Sequence, residues 1–236
     1  MAYATVIDSR LGEVRISFRR GTSRVSARWD KGRAHLIVPA GLDMKEAMEY
    51  LERARPYFEQ SRKPPMFAIG RDITIDRGPV IRIVADAGAR ATVNARMARD
   101  GGAVIGIGPD FDMADPQADG IISRMLIRVA MRLAPGIILP ELEAEVSRLG
   151  LMPRSTGISR GHKVLGHCNA RGEIAISAIC LFLPYELRRY IYCHELAHLT
   201  EMNHSPRFHA LCDRYLSGRE AELSRKVDRY AWPLLR

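Results

Sequence analysis

The sequence predicts an α+β fold. Short runs of alternating polar and apolar residues fill the first half, helical apolar periodicity fills the second, and the two zones meet at Asp112-Met113-Ala114-Asp115-Pro116. Runs at 13–19, 24–29 and 34–38, parted by Gly21-Thr22 and Asp30-Lys31-Gly32, read as the strands of a β-meander. Asp43 then opens a helix, with Glu46 as its capping-box partner and Met44, Ala47, Met48 and Leu51 as its apolar face, ending near Gln60. A basic turn, Ser61-Arg62-Lys63-Pro64-Pro65, leads to further strand-like runs at 66–75, 80–85, 91–95 and 103–107. Residues 1–112 thus form a β-rich N-terminal region, and no internal repeat or low-complexity segment is visible anywhere along the chain.

Residues 113–236 read as a mainly helical region. A helix starting at 112–116 is expected to run to about Leu133, to break at Pro135-Gly136, and to be followed by another from Pro140 to Leu149, closed by Gly150. A short β element follows, with strands at 163–168 and 173–178 around the turn Asn169-Ala170-Arg171-Gly172. Pro184 then suits a helix start, and Leu187, Ile191, Leu196 and Leu199 recur at helical spacing over 185–202. Ser205-Pro206 supplies the N-cap and first position of a helix through Leu216.

A chain of 236 residues with 47% hydrophobic content can bury a substantial core, which excludes a disordered tail. No apolar run approaches a membrane span of roughly 20 residues, and the N-terminus lacks a signal-peptide layout, so a cytoplasmic location without membrane contact is expected. Cys168, Cys180, Cys193 and Cys212 lie far apart with no C-x-x-C pair; they read as reduced thiols, neither a disulfide framework nor a cysteine metal site. The net charge of +9 comes mostly from scattered arginine, densest over 15–33, and leaves anionic substrates or nucleic acid open as partners.

The chemistry is concentrated in His194-Glu195-Leu196-Ala197-His198. On a helix, His194 and His198 stand one turn apart on one face, so both imidazoles can reach one zinc ion, while Glu195 is placed to take a proton from the attacking water. A catalytic zinc needs a third protein ligand, and His204 in the turn between two helices is the expected one. Glu201 reads as a supporting carboxylate and His209 as a rim residue of the next helix. The spacing to His204 matches that of metzincins, but Glu201 stands where those enzymes have Gly and no Met follows residue 202. His167, Tyr192 and His162 are candidates for oxyanion stabilisation by chemistry, His167 the best placed because it lies just upstream of the helix, but each reads first as a structural residue and the stabiliser is left unassigned.

The segments Tyr190-Ile191-Tyr192-Cys193-His194-Glu195-Leu196-Ala197-His198-Leu199 and Asn203-His204-Ser205-Pro206-Arg207-Phe208 resemble the pattern of YgjP-like metallohydrolases, relatives of the WLM and SprT-type zinc peptidases. Val164-Leu165-Gly166-His167-Cys168 occupies the place of that family's R-W-G-S-C, with Leu165 and His167 replacing Trp and Ser. The resemblance spans nearly the whole chain and implies a zincin-like region holding zinc on His194, His198 and His204, with Glu195 as general base. A metallopeptidase acting on peptide or protein is the leading expectation. A metal-dependent nucleotide or phosphoester hydrolase comes next, since such a centre also attacks phosphorus, and a zinc-containing nucleic-acid-associated protein stands third.

Overall fold

The computed structural model describes residues 2–30, 33–61, 65–89, 92–115, 117–161 and 163–235. The expected turns at 30–32 and 61–65, the strand start at Ala91, Pro116 and His162 therefore fall wholly or partly outside the described residues. The fold is α+β, as expected, and divides into two compact units: Met1–Ala68 with Asp112–Ile122, and Ile69–Phe111 with Ser123–Arg236. No helix among the described residues is long and apolar enough to cross a membrane.

The first unit holds β1 (Ala2–Asp8), β2 (Gly12–Arg19), β3 (Ser26–Asp30), β4 (Arg33–Pro39) and α1 (Met44–Ser61). The sheet order is β1-β2-β4-β3, with β2 and β4 parallel and the outer pairs antiparallel, so the expected meander is corrected. Burial explains the change. β4 buries Ala34, His35, Leu36 and Val38 and belongs at the centre with a neighbour on each side, whereas β3 alternates exposed and half-buried residues and suits an edge. The capping box forms as predicted, Asp43 N–H donating to Glu46 Oε2 and Glu46 N–H to Asp43 Oδ1, both at 2.8 Å. Val14, Ile16, Leu36, Leu51 and Phe58 meet in the core between sheet and helix.

In the second unit, β5 (Asp72–Thr74), β6 (Val80–Ala85), β7 (Val93–Met97) and β8 (Ala103–Ile107) repeat the same topology, in order β5-β6-β8-β7. The registers pair Val14 with Ala34 in one sheet and Ile81 with Ala103 in the other. Equivalent positions then read Val14-Arg15-Ile16 and Ile81-Arg82-Ile83, Ala34-His35-Leu36 and Ala103-Val104-Ile105, Val25-Ser26-Ala27-Arg28-Trp29 and Val93-Asn94-Ala95-Arg96-Met97. An internal ββββα duplication is thus present where none stood out in the sequence. The strand expected at 66–75 shrinks to β5, because Gly70 turns the chain at a φ of +87°.

The helix of the second repeat, α2 (Ala118–Leu149), is continuous through Pro135 and Pro140, which corrects the expected break. Pro135 and Gly136 are exposed, while Ala130, Leu133, Ala134, Ile138 and Leu142 are buried. A proline on the solvent face leaves its orphaned carbonyl to water, and the apolar stripe holds both halves in line. A small sheet follows, ordered β10-β11-β9 from β9 (Ser155–Ser159), β10 (Gly166–Cys168) and β11 (Glu173–Ser177). Then come α3 (Tyr185–Ala197), α4 (Pro206–Tyr215) and α5 (Glu220–Asp228). Neither β1, β9 nor α5 was expected from the sequence.

Candidate metal centre

α3 is anchored from within. Arg188, with no solvent exposure, grips Glu141 of α2 through Nε at 2.8 Å and Nη2 at 2.6 Å, and donates to the carbonyls of Leu183 at 2.7 Å and Asp76 at 2.9 Å. Tyr192 adds its hydroxyl to the same Glu141 at 2.8 Å, and Arg189 binds Glu145 of α2 at 2.8 Å. A buried guanidinium this fully satisfied fixes the helix at one height and rotation. It also removes Tyr192 from the candidates for oxyanion stabiliser.

The helix stops at Ala197, earlier than the periodicity over 185–202 suggested, because the N–H groups of Thr200 and Glu201 both turn back to the Ala197 carbonyl at 3.0 Å. That early stop lets the chain fold over. His198 Nδ1 lies 3.0 Å from the Glu201 carbonyl oxygen, so Nδ1 carries the proton and Nε2 keeps its lone pair. The supporting group supplied by Glu201 is thus its backbone carbonyl. Directly after His204, the Ser205 hydroxyl accepts from Phe208 N–H at 3.3 Å and, as N-cap, starts α4.

The result is a cluster in which His194, His198 and His204 bring ring nitrogens to within 4.8 Å of one another. His194 Nε2 and His204 Nε2 face each other at 3.1 Å. Phe208, fully buried, floors the three rings: it stacks on His198 with centroids 4.5 Å apart and meets His194 and His204 edge-on at 4.9 and 4.7 Å. Burial, reinforced by the neighbouring imidazoles, pushes His194 down to about 4, and burial likewise lowers His198. Neutral imidazoles converging on one point fit a divalent cation, which needs free lone pairs and gains nothing from imidazolium. His209 turns away to Glu220, with Nδ1 3.2 Å from Oε1.

Glu195 is 5% exposed, and burial pushes its carboxyl up to about 7. A dication beside it would favour the carboxylate again. Its wall is β10: a β-carbon on Gly166 would stand 2.6 Å from Glu195 Oε1 and 2.7 Å from Cγ, so only glycine lets the strand come this close. Cys168 lies on the same face of β10, its thiol pushed up by burial and by the Glu195 charge. His167 points to the opposite face and is exposed, which agrees with its reading as a structural residue and not as an oxyanion stabiliser. Sequence reasoning thus passed over Gly166, Phe208, Arg188 and Glu141; the first two stood inside the quoted patterns without an assigned task.

No curated protein and no solved structure matches the chain. The profile of the YgjP-like metallopeptidase domain matches residues 23–226. That span takes in most of the duplicated β region, the whole of α3 and α4, and all the side chains gathered around Glu195. On that match the chain belongs to the YgjP-like metallopeptidase family.

Proposed function

We propose that the protein is a zinc-dependent peptidase in which His194, His198 and His204 hold the ion and Glu195 is the general base. The observation that carries this reading is the convergence of three imidazole nitrogens within 4.8 Å beside a buried carboxylate on the same helix. Three imidazole nitrogen ligands and no fourth protein ligand among the described residues are the donor set of a catalytic zinc site. Bound there, zinc supplies a Lewis acid that lowers the pKa of water toward about 7 and polarises a carbonyl.

Glu195 accepts the proton of the attacking water at a carboxylate oxygen and returns it to the leaving amine. Gly166 and the burial of Glu195 hold that oxygen in one position and keep bulk water from competing for it. The Glu201 carbonyl orients His198, and Phe208 excludes solvent from beneath the rings.

β10 supports a peptide as the substrate. Ser177 N–H donates to Leu165 O at 2.8 Å and Asn169 N–H to Glu173 O at 3.1 Å, so antiparallel alternation turns the N–H and C=O groups of Gly166 and Cys168 to the outer edge. Among the described residues β10 pairs with β11 alone. An extended peptide can hydrogen-bond along that edge with little dependence on its side chains.

Purified protein loaded with zinc is expected to cleave an unstructured polypeptide such as denatured casein, and to stop when a chelator removes the ion and resume when zinc is restored. Hydrolysis of nucleotides with no peptide cleavage would overturn the peptidase reading and leave the metal site standing.

A further inference from the structure

We propose that the groove between β7 and α2 is a docking site for an extended acidic peptide segment, added as a strand to the open edge of β7. The inference stands apart from the metal chemistry and rests on the duplicated ββββα motif. In the first repeat the edge strand β3 turns Val25, Ala27 and Trp29 onto the core, and Trp29 closes the space beside α1, with its ring 5.6 Å from Phe58 and its Nε1 donating to the Phe58 carbonyl at 3.1 Å. In the second repeat Met97 takes the place of Trp29 and is 39% exposed. A cleft of about 380 Å³ opens between β7 and α2 where the first repeat is filled.

The cleft has the parts that strand addition needs. Gly108 N–H donates to Thr92 O at 3.0 Å and Ala98 N–H to Gly102 O at 2.9 Å. Antiparallel alternation then faces the even-numbered residues of β7 to β8, and the backbone groups of Val93, Ala95 and Met97 to the outer edge. The same three residues turn their side chains to the buried face of the sheet, since Ala95 lies opposite the fully buried Ile105. Met125 and Val129 of α2 complete an apolar floor.

Charge names the occupant. Between Gly120 and Pro140, α2 carries Arg124, Arg128 and Arg132 and no acidic residue. All three are exposed, and no acidic partner reaches them among the described residues; Arg128 only touches the Met125 sulfur at 3.9 Å. Like charges four residues apart on a helix repel, so the stripe is a standing cost unless an anion meets it. Arg96 of β7 is already held by Asp86 at 2.8 Å and takes no part. Arg128 and Arg132 line the cleft, about 6 Å apart along the helix axis, and same-face side chains of an extended strand recur about every 6.6 Å. Carboxylates on the side of an added strand that faces α2 therefore match the arginines, while its backbone fills the open edge. A nucleic acid strand would use the arginines and leave the edge and the apolar floor unused.

The test is fluorescence anisotropy of the full zinc-loaded protein with a labelled Asp-Val repeat peptide, its Lys-Val counterpart, a proline-interrupted acidic peptide and an oligo-dT strand. The acidic repeat is expected to bind, at least about tenfold tighter than the other three, and to do so equally after chelation of the metal. Arg128→Glu with Arg132→Glu, and separately Met97→Trp, are expected to weaken it by about tenfold or more, with the circular dichroism of the folded protein retained. Amide exchange at Val93, Ala95 and Met97 should slow on binding. Equal binding of the Lys-Val peptide, binding of oligo-dT in place of the peptide, unchanged affinity in Met97→Trp, or unchanged exchange along β7 would each overturn the proposal. Failure of polypeptide cleavage would leave it untouched, because the readout needs no activity.

Discussion

Gly166 of β10 lies directly against the carboxylate of Glu195, close enough that an added β-carbon would stand 2.6 Å from Oε1 and 2.8 Å from Cδ. The strand and the acid are thus positioned as one piece. Gly166→Ala must move either β10 or the Glu195 side chain, and neither has free space, since both residues are buried. The variant is expected to keep its zinc, because no candidate ligand is touched, and to lose on the order of 10²-fold of hydrolytic rate through misplacement of the base. Metal content beside kcat checks it: zinc lost along with activity would place the effect at the histidines.

Metal retention separates ligands from neighbours. His194→Ala, His198→Ala and His204→Ala are each expected to release zinc, whereas His209→Ala, whose ring is bound to Glu220, should retain one ion per chain. Elemental analysis after dialysis decides it. Full zinc in His204→Ala would remove that residue from the site.

The ties between α2 and α3 carry a pH signature. Burial pushes the Glu145 carboxyl up, but hydrogen bonds from Arg148 and Arg189 outweigh it and hold the group below its ordinary value of about 4.5. Because the folded pKa is depressed, the contribution is fully present above the unfolded value and is lost as pH falls through the folded one. Both arginines are partly exposed, so solvent screening limits the contribution to about 1–3 kcal/mol at neutral pH. Urea unfolding of the wild type and Glu145→Gln should differ by that amount near pH 7 and converge on acidification below about 4.5. A gap that stays constant to pH 3 would show the ion pairs to be immaterial.

Local rules made much of this legible. The Asp43–Glu46 capping box, the Ser205-Pro206 helix start and the spacing of His194, His198 and His204 each depend on residues near in sequence, and each appears in the structure. What stayed hidden depends on pairing across distance. Alternation identifies β2, β3 and β4 as strands but does not say that β4 enters between the other two, which follows from its burial on both faces. The ββββα duplication was invisible because its matching tripeptides are separated by unequal loops and align only through strand register. Pro135 signals a break that the buried stripe of α2 overrides. The contact of Gly166 with Glu195 joins residues 29 positions apart, and a glycine in a short β element does not announce what approaches it.

Glu195→Gln separates proton transfer from metal binding. Glu195 follows His194 on α3, about 100° round the helix, and is buried against β10, so the amide keeps its shape and fills the same space. Glutamine has no basic oxygen, while the three imidazoles remain as they are. The variant should therefore bind zinc as the wild type does and lose about 10²–10⁴-fold of kcat with KM little changed, the loss expected when a general base is removed. Glu195→Asp offers a control with the charge kept and the reach shortened; it should recover part of the rate, because the shorter carboxylate can still accept a proton through a second water. If the glutamine variant cleaves a verified substrate at the wild-type rate, proton acceptance lies elsewhere, and the buried carboxylate serves only to hold β10 against α3.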